Sequence, residues 1–447
     1  QSTENITAGH ADIRGGSITT EKDFFASGDK VNTVEKAILQ AGNDINFKND
    51  VNVTNAVLNA GNDIDVDGKL KALNDPAANA VNITAGNDIN AGGLEVKGSR
   101  LSAANDVNVD DNLAINGGNV EAKRNITVGG DIDINTGVLS ARGTITGKGN
   151  VAHNGGVVTG GKIDIAGKYD LTSGSVGAIT DFVVGEGLKN TGGHITINRD
   201  LVAGDYTMTS GTANITRDVN VSGDFTVAGG KVDIKRNVKV GKDLVVTGGA
   251  LTVDKNVDVG NDATIKNVIA TVKGDFNATH GRVTAAEKGN LKVGGAFNFG
   301  NVNINSGTIS AGGPATGGNV DMTGGTFDAK GNVEVGNVTM NSGKFTAQKT
   351  FSGGDLNITS GTLSASGDFV SDDISITSGT VTAGSSLKGG DIDMIGGTIS
   401  SSGDMAVGNS NLEDATVNAG GNFAANNIDM SGGKLTAKTD ITANNED

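Results

Sequence analysis

The segment from Ala203 to Ala278 shows the pattern that decides the fold of this chain. It divides into four lines of equal length that nearly superimpose, AGDYTMTSGTANITRDVNV (203–221), SGDFTVAGGKVDIKRNVKV (222–240), GKDLVVTGGALTVDKNVDV (241–259) and GNDATIKNVIATVKGDFNA (260–278). In each line the apolar residues form three pairs with spacing i, i+2, and Gly, Asn, Asp and Ser separate the pairs. A spacing of two predicts β-strands, and the residues between the pairs predict turns. One repeat is therefore three short strands joined by three turns.

Three strands per repeat close into a triangular coil when each repeat stacks on the one before it. A single coil can neither bury its apolar pairs nor pair its backbone until neighbouring coils cover it. Because connections between parallel strands are right-handed in nearly all proteins, we predict a right-handed coil. The sequence thus predicts an all-β fold, a triangular right-handed parallel β-helix, also called a β-solenoid. The predicted inward columns in this segment are Tyr206, Phe225, Leu244 and Ala263, and Ile215, Ile234, Val253 and Val272.

One inward column can be followed along nearly the whole chain by taking the apolar residue after each Gly, Asn or Asp turn. Its members are Ile6, Phe24, Ile45, Ile64, Ile89, Val107, Ile126, Ile145, Ile163, Phe182, Leu201, Val219, Val238, Val257, Phe276, Phe297, Ala315, Val333, Phe351, Phe369, Leu387, Met405, Phe423 and Ile441. Most steps are 18 or 19 residues. The column predicts roughly 24 coils, and a strand spacing of about 4.8 Å predicts a straight rod on the order of 115 Å long.

The longer steps in this column show where extra residues leave the coil. The step Ile64–Ile89 contains Pro76 in a composition typical of a surface loop. The step Phe276–Phe297 indicates a change of register, after which the repeat becomes strictly 18. We therefore predict one continuous rod in three parts, which are 1–278 with mostly 19-residue coils, a register change or loop over 279–296, and 297–447 with 18-residue coils.

The composition excludes several classes of protein. The 447 residues include 71 Gly but only 3% aromatic residues, which is too few large side chains for several globular cores. The net charge of −16 disfavours nucleic acid and anionic membrane surfaces as partners. No apolar run approaches the ~20 residues of a membrane span, so we predict that the chain does not span a membrane. The chain has no Cys, which excludes disulfides and thiolate metal sites.

The two ends of the sequence suggest a further expectation about partners. The chain begins with Gln1 rather than Met, and the repeat pattern runs from Ile6 to Ile441. An uncovered terminal coil offers unpaired N–H and C=O groups to another strand. We expect the partner at each end to be another copy of the chain or further coils of a longer chain.

The sequence offers no candidate catalytic residue. His10, His153, His194 and His280 lie in different coils, without a carboxylate or a second histidine at metal-ligand spacing, and we predict that each is a solvent-exposed turn residue. Neither a GxSxG nucleophile motif nor a GxxxxGK[ST] phosphate loop is present. We therefore predict that the chain is not an enzyme and needs no cofactor.

An acidic column is the sharpest candidate for a metal site. Its members are Asp205, Asp224, Asp243 and Asp262, and we assign Asp44, Asp63, Asp88 and Asp106 to the same turn of earlier coils. One interpretation is a row of weak Ca²⁺ sites, since stacked carboxylates repel each other unless a cation offsets their charge. The interpretation we prefer is that each side chain closes its turn by bonding to its own backbone two residues on.

A column of hydroxyl groups is a second candidate surface. Its members are Thr308, Thr326, Thr362, Thr380, Thr398 and Thr416, with Ser, Thr, Asp or Asn two residues further on in each strand. A flat hydroxyl face of this kind is typical of an ice-binding solenoid. Lys344 and Asp328 interrupt it. We prefer the interpretation that β-branched threonines suit a strand and bond to the next threonine across it.

Several units of the chain resemble the haemagglutinin repeats of the filamentous haemagglutinin family. These units are AGNDINF (41–47), AGNDIDV (60–66), TAGNDINA (84–91), GGDIDINTGVLSARGTITG (129–147) and GGDLNITSGTLSASGDF (353–369). The resemblance implies a β-helical shaft that two-partner secretion exports to a bacterial cell surface. The NPNL-type and NPNG-type motifs of the family's secretion domain find no counterpart at Pro76 or Pro314, the only prolines. Autotransporter passengers and contact-dependent toxin shafts have similar repeats and are alternatives.

These observations lead to one expected function and its alternatives. We expect a non-catalytic, secreted, extracellular shaft, structural or adhesive, that belongs to a bacterial surface protein or a filament-forming protein. Its expected partner is the surface of a host or neighbouring cell. The alternatives are a β-helix that binds or processes polysaccharides, as lyases and tailspikes do, and an ice-binding solenoid. Polysaccharide enzymes build clefts from long loops and hold sugars on aromatic faces, whereas this chain has no Trp and only Tyr169 and Tyr206.

Overall fold

The computed structural model describes residues 1–74 and 81–444, and in these ranges every regular element is a β-strand. The predicted surface loop at Pro76 lies outside the described residues. The chain forms two compact units, Gln1–Val221 and Ser222–Asp447.

The strands of both units are short, most of them three or four residues long, and the longer ones run across a corner of the coil. In the first unit they are Ile6–Ala8, Asp12–Thr20, Phe24–Ala26, Asn32–Ala41, Ile45–Phe47, Val51–Thr54, Val57–Ala60, Ile64–Leu73, Asn82–Ala85, Ile89–Lys97, Arg100–Ala103, Val107–Val109, Leu113–Ala122, Ile126–Val128, Ile132–Gly147, Val151–His153, Val157–Ile165, Tyr169–Leu171, Ser175–Ala178, Phe182–Asn190, His194–Ile197, Leu201–Met208, Thr212–Ile215 and Val219–Val221. In the second unit they are Phe225–Val227, Lys231–Ile234, Val238–Val240, Leu244–Val246, Ala250–Val253, Val257–Val259, Ala263–Lys266, Ile269–Val272, Phe276–Ala286, Asn290–Val293, Phe297–Asn305, Thr308–Ala311, Ala315–Gly317, Val320–Met322, Thr326–Ala329, Val333–Glu334, Val338–Met340, Lys344–Ala347, Phe351–Ser352, Leu356–Ile358, Thr362–Ala365, Phe369–Val370, Ile374–Ile376, Thr380–Ala383, Leu387–Lys388, Ile392–Ile395, Thr398–Ser401, Met405–Ala406, Ser410–Glu413, Thr416–Ala419, Phe423–Ala425, Ile428–Ser431, Lys434–Ala437 and Ile441–Ala443.

Within each unit the strands pair in parallel with the equivalent strand one coil later. Ile126 lies opposite Ile145 in the first unit, and Phe369 lies opposite Leu387 in the second. The fold is a parallel β-solenoid of about 23 turns, consistent with a right-handed parallel β-helix. The predicted fold class is therefore confirmed, with about one coil fewer than the sequence count.

The inward column predicted from the sequence is confirmed within each unit. From Ile6 to Val219 and from Val238 to Ile441, every consecutive pair of its members lies in parallel register. All members are buried except the first and the last. The period of two places these side chains inside because successive residues of a strand point to opposite faces.

Several phenylalanines stack on one another in the core of the second unit. Phe351 and Phe369 stack with ring centroids 4.6 Å apart and an interplanar angle of 19°. Phe327 and Phe345 stack at 4.5 Å in another inward column. Like residues stack on like because each coil repeats the position of the one before, which gives offset aromatic stacking along the column.

One corner of the coil requires glycine for its backbone conformation. Gly343 and Gly361 occupy equivalent positions, with φ of 106° and 103°. A Cβ on Gly361 would lie 2.6 Å from the carbonyl oxygen of Gly343. The turn therefore needs both a positive φ and a close approach to the coil below, and only glycine supplies both without strain.

The segment 279–296 contains both strand and turn. The pairing register shifts between Ala278 and Arg282 within the strand Phe276–Ala286. Glu287 and Lys288 then have positive φ before the strand Asn290–Val293 begins. The limits of the three predicted parts of the chain stay a prediction.

Candidate functional site

Aspartate and asparagine side chains at one corner form a ladder of hydrogen bonds between coils. Asp44 Oδ1 accepts a hydrogen bond from the backbone N–H of Asp63 at 3.1 Å, and Asp63 Oδ1 accepts one from Asp88 N–H at 2.9 Å. Asp88 Oδ1 accepts from Asp106 N–H at 2.9 Å in the same way. The predicted bond to the same turn's own backbone is thus replaced by a bond to the next coil, which satisfies a backbone donor that the turn leaves unpaired.

The candidate calcium residues form a second ladder at a different corner. Asp224 Oδ1 accepts from Asp243 N–H at 3.2 Å, and Asp243 Oδ1 accepts from Asp262 N–H at 3.2 Å. Asp262 Oδ1 accepts from Arg282 N–H at 2.8 Å, and the exposed Asp205 lies opposite Gly187 in the first unit.

The assignment of Asp44, Asp63, Asp88 and Asp106 to the same turn as Asp205 is therefore wrong. Asp44 precedes Ile45, whose column continues through Leu201, whereas Asp205 precedes Tyr206, which lies opposite Leu188. Several turns of the coil carry Gly, Asn and Asp, so composition alone does not show which corner of the coil a given turn occupies.

The geometry of the acidic column favours its structural interpretation. Among residues 1–74 and 81–444, no three His, Asp or Glu side chains are close enough to hold a metal ion together. One carboxylate oxygen of Asp224, Asp243 and Asp262 already accepts a backbone N–H. These N–H groups offset part of the repulsion between stacked carboxylates, which is the role that the alternative interpretation gave to calcium.

The predicted hydroxyl residues lie in one registered column of the second unit. Thr308 lies opposite Thr326, and Thr362, Thr380, Thr398 and Thr416 follow one another in consecutive coils. All six threonines are half-buried. In the parallel column two residues on, Ser400 Oγ donates to Thr382 Oγ1 at 3.5 Å. Lys344 lies in the first column between Thr326 and Thr362, as the sequence indicated.

The four histidines do not share one environment. His10, His194 and His280 are exposed, as predicted, but His194 and His280 lie in the strands His194–Ile197 and Phe276–Ala286, so their prediction as turn residues is wrong. His153 is fully buried, so its prediction as an exposed turn residue is wrong. The strand Val151–His153 has the apolar-x-apolar spacing of an inward pair, and that spacing was the available signal.

The buried His153 is held by two hydrogen bonds. Its Nδ1 lies 2.9 Å from the hydroxyl of Tyr169, and its Nε2 lies 3.4 Å from the carbonyl oxygen of Gly156. Because a carbonyl can only accept, Nε2 carries the proton and Nδ1 accepts from the tyrosine. Burial lowers the pKa of His153 and raises the pKa of Tyr169. Both side chains are therefore neutral core residues.

At least two surface cavities are lined by described residues of the first unit. The larger, of about 430 Å³, is lined by acidic residues that include Asp50 and Asp67. Asp50 Oδ1 accepts from Lys69 N–H at 2.8 Å, and Asp67 forms an ion pair with Lys48 at 2.8 Å. These two carboxylates are therefore partnered within the fold.

The smaller cavity, which we call the Gly177 cavity, measures about 320 Å³ and is mostly apolar. Residues around it include Ser140, Arg142, Thr159, Gly177, Ile179 and Thr196. It lies over the strands Ser175–Ala178 and His194–Ile197 and their neighbours, where one outward column loses its side chain at Gly177. Sequence analysis missed this site. The available signal was a glycine between the inward residues Val176 and Ala178.

Two negative findings complete the description of the site. Within the described ranges, no helix is long and apolar enough to cross a membrane. Comparison of the chain with protein-family models, with curated proteins and with solved structures finds no match.

Proposed function

We propose that this chain is a non-catalytic shaft, structural and adhesive, on the outside of a bacterial cell. The observation that carries the proposal is the unbroken register of the inward columns within each unit. In the second unit one column passes through Phe351, Phe369, Leu387, Met405 and Phe423 in consecutive coils. Such an arrangement commits almost every residue to stacking one coil on the next, which is how a solenoid builds length and extended surface.

The outward surface supports an adhesive role. Each side of a solenoid repeats its outward positions at every coil, so a weak contact with a cell-surface ligand can recur along the shaft. Linked weak contacts raise the overall affinity far above that of any one of them. The partner in this proposal is the surface of a host or neighbouring cell. The resemblance to filamentous haemagglutinin repeats supports secretion as the route to that surface.

Surface exposure and cell binding test the proposal together. Intact source cells are treated with a protease, and the chain is followed by immunoblotting beside a cytoplasmic marker. We expect the chain to be cleaved while the marker survives. Beads coated with the purified chain should also bind target cells, and beads coated with a globular protein of similar charge should not. The proposal would be contradicted if the protease left the chain intact in whole cells. It would also be contradicted if beads coated with the chain bound target cells no better than the control beads.

An ice-binding solenoid is the second candidate function, and the registered threonine column favours it. Thr362, Thr380, Thr398 and Thr416 present hydroxyl and methyl groups at the spacing of the strands. The test is inhibition of ice recrystallisation by the purified chain. Thr380→Lys should abolish the activity, whereas Thr339→Lys, on another side of the coil, should retain it. Absence of activity in the unmodified chain would remove this candidate.

A further inference from the structure

The Gly177 cavity lies over two adjacent outward columns, the first of which has no side chain at Gly177. The first column runs from Ser140 through Thr159 and Gly177 to Thr196, in parallel register throughout. Residues Ala141, Gly160, Ala178 and Ile197 are likewise in register, and the second column follows one residue after them. Its members are Arg142, Gly161, Ile179 and Asn198. The cavity therefore includes a dent at Gly177, where the first outward column has no side chain.

The two glycines are present for different reasons. A Cβ on Gly161 would lie 2.3 Å from the carbonyl oxygen of Arg142, so the fold itself excludes a side chain there. A Cβ on Gly177 would have its nearest contact at 3.6 Å, from Thr159 Cγ2, which is ordinary van der Waals distance. Gly177 also lacks a positive φ. The backbone at Gly177 thus accepts a side chain, and the dent there is not a requirement of folding.

The wall of the cavity combines apolar surface with hydroxyl groups. Ile179 is 63% exposed, an unusually high value for a large apolar side chain on this chain. Thr159 Oγ1 donates to Ser140 Oγ at 3.0 Å, and Thr196 Oγ1 lies 3.1 Å from His194 Nε2. A concave, mostly apolar surface with a few convergent polar groups is the usual form of a small-molecule site.

Arg142 lines one end of the cavity, and a second cation, Lys123, belongs to the coil just before it. Lys123 and Arg142 directly follow the registered pair Ala122 and Ala141, so they occupy matching positions on adjacent coils. Both are exposed. By contrast, Arg100 on a neighbouring coil pairs with Glu121 at 2.8 Å.

Lys123 and Arg142 form no ion pair with any carboxylate of residues 1–74 and 81–444. Like charges at matching positions of neighbouring strands repel each other. The chain has a net charge of −16, but this pair forms a small patch of positive charge on it. A bound anion would stabilise this patch.

We propose that the Gly177 cavity binds a carboxylated sugar, with the carboxylate at Arg142 and Lys123. A guanidinium group matches the two oxygens of a carboxylate and can bond to both. The C–H face of the sugar ring packs on Ile179, and its hydroxyl groups replace water at Ser140, Thr159 and Thr196. A cavity of about 320 Å³ accommodates one such unit, either a free monosaccharide or one unit of an acidic polysaccharide.

This inference goes beyond the proposed function because it assigns one ligand class to one place in the first unit. It does not require that the chain adhere to cells, and an adhesive shaft does not require this cavity. The two proposals therefore fail separately, since the cell-binding assay tests one and sugar titration tests the other.

Titration of the full chain with defined sugars tests the site. The probes are methyl β-glucuronide, its neutral counterpart methyl β-glucoside, and a tetramer of galacturonate that represents the polysaccharide source. Calorimetry measures the affinity, and saturation-transfer NMR identifies the ring protons that contact the protein. We expect saturable binding of the glucuronide, about tenfold or more tighter than that of the glucoside. Tighter binding of the tetramer than of the glucuronide would identify the polymer as the source.

Three variants separate the site from general attraction of anions. Arg142→Gln removes the carboxylate partner, and Gly177→Val fills the dent at a position whose backbone accepts a side chain. Both should weaken glucuronide binding about tenfold or more, with an unchanged circular dichroism spectrum. Lys189→Gln removes an equal charge from an exposed position on another side of the coil and should leave binding unchanged. Equal binding of glucuronide and glucoside, no saturable binding, or equal losses in Arg142→Gln and Lys189→Gln would overturn the proposal.

Discussion

The single residue with the most unusual environment is His153, which lies in the core against Tyr169. The ring accepts a hydrogen bond from the tyrosine hydroxyl at Nδ1, and no solvent reaches it. Burial is the largest cause of its lowered pKa, and the polar backbone groups of Gly156 and Gly155 act in the opposite direction. Protonation would place a charge in an apolar core, which the fold opposes.

His153 makes stability depend on pH. Its pKa is lower in the folded chain than the ordinary value of 6.5, so the unfolded chain binds more protons below that value. The contribution of neutral His153 to the free energy of unfolding is complete above pH 6.5. It is lost as the pH falls towards the pKa of the folded chain, by at most about 1.4 kcal/mol per pH unit. Thermal unfolding of the wild type between pH 7 and 5 should show this loss.

The control for this prediction compares two histidine variants. His153→Leu should flatten the pH dependence of the unfolding temperature between pH 7 and 5, whatever the effect of the substitution on stability at pH 7. His194→Leu, at an exposed position, should keep the wild-type slope. Identical slopes in all three proteins would contradict the assignment.

Inward and outward residues of the second unit should differ sharply in their effect on stability. Phe369 is fully buried and stacks on Phe351, whereas Thr380 is half-buried on the outer face. Phe369→Ala should lower the free energy of unfolding by about 3–5 kcal/mol through the cavity it leaves, and Thr380→Ala by less than about 1 kcal/mol. Urea unfolding followed by circular dichroism measures both. Equal losses would refute the in/out assignment.

At the scale of the structural element, the corner ladders connect each coil to the next. Asp63 Oδ1 accepts from both the Asp88 N–H and the Asn87 Nδ2 amide, each at 2.9 Å. The ladder therefore joins turns that no strand pairing covers. This arrangement explains why either Asp or Asn serves at these corners, since only an oxygen acceptor at Oδ1 is needed.

Replacing a ladder residue should show that the acceptor rather than the charge matters. Asp63→Ala leaves the Asp88 N–H without its partner and should cost about 1–3 kcal/mol. Asp63→Asn keeps an Oδ1 acceptor and should recover most of that loss. Thermal unfolding in buffer with EDTA provides the measurement, so that added metal does not contribute. An asparagine variant as unstable as the alanine variant would show that the ladder depends on charge.

At the scale of the whole molecule, charge limits the choice of partner. The net charge of −16 and the pI near 4.7 mean that the chain as a whole repels phosphate backbones at neutral pH. We expect no binding of random-sequence duplex DNA at physiological salt when the chain is present at micromolar concentration. A gel-shift titration at two salt concentrations checks this. A complex that weakens steeply as salt increases would show a phosphate-binding surface and contradict the expectation.

The sequence by itself determined the strands, the inward columns and the solenoid, because these depend only on the alternation of side chains and a repeat of 18 or 19 residues. Phe351 and Phe369 were therefore predicted inward, and the same rule applied to Val151 would have placed His153 inside. The tertiary structure decided which corner Asp44 occupies, which backbone N–H Asp63 meets, and that Gly177 lies in one cavity with Arg142 and Ile179. These features depend on the register between coils, and pairing of residues 18 to 25 positions apart fixes that register. Composition repeats at several corners of the coil, so it leaves the choice between them to the packing of one coil on the next.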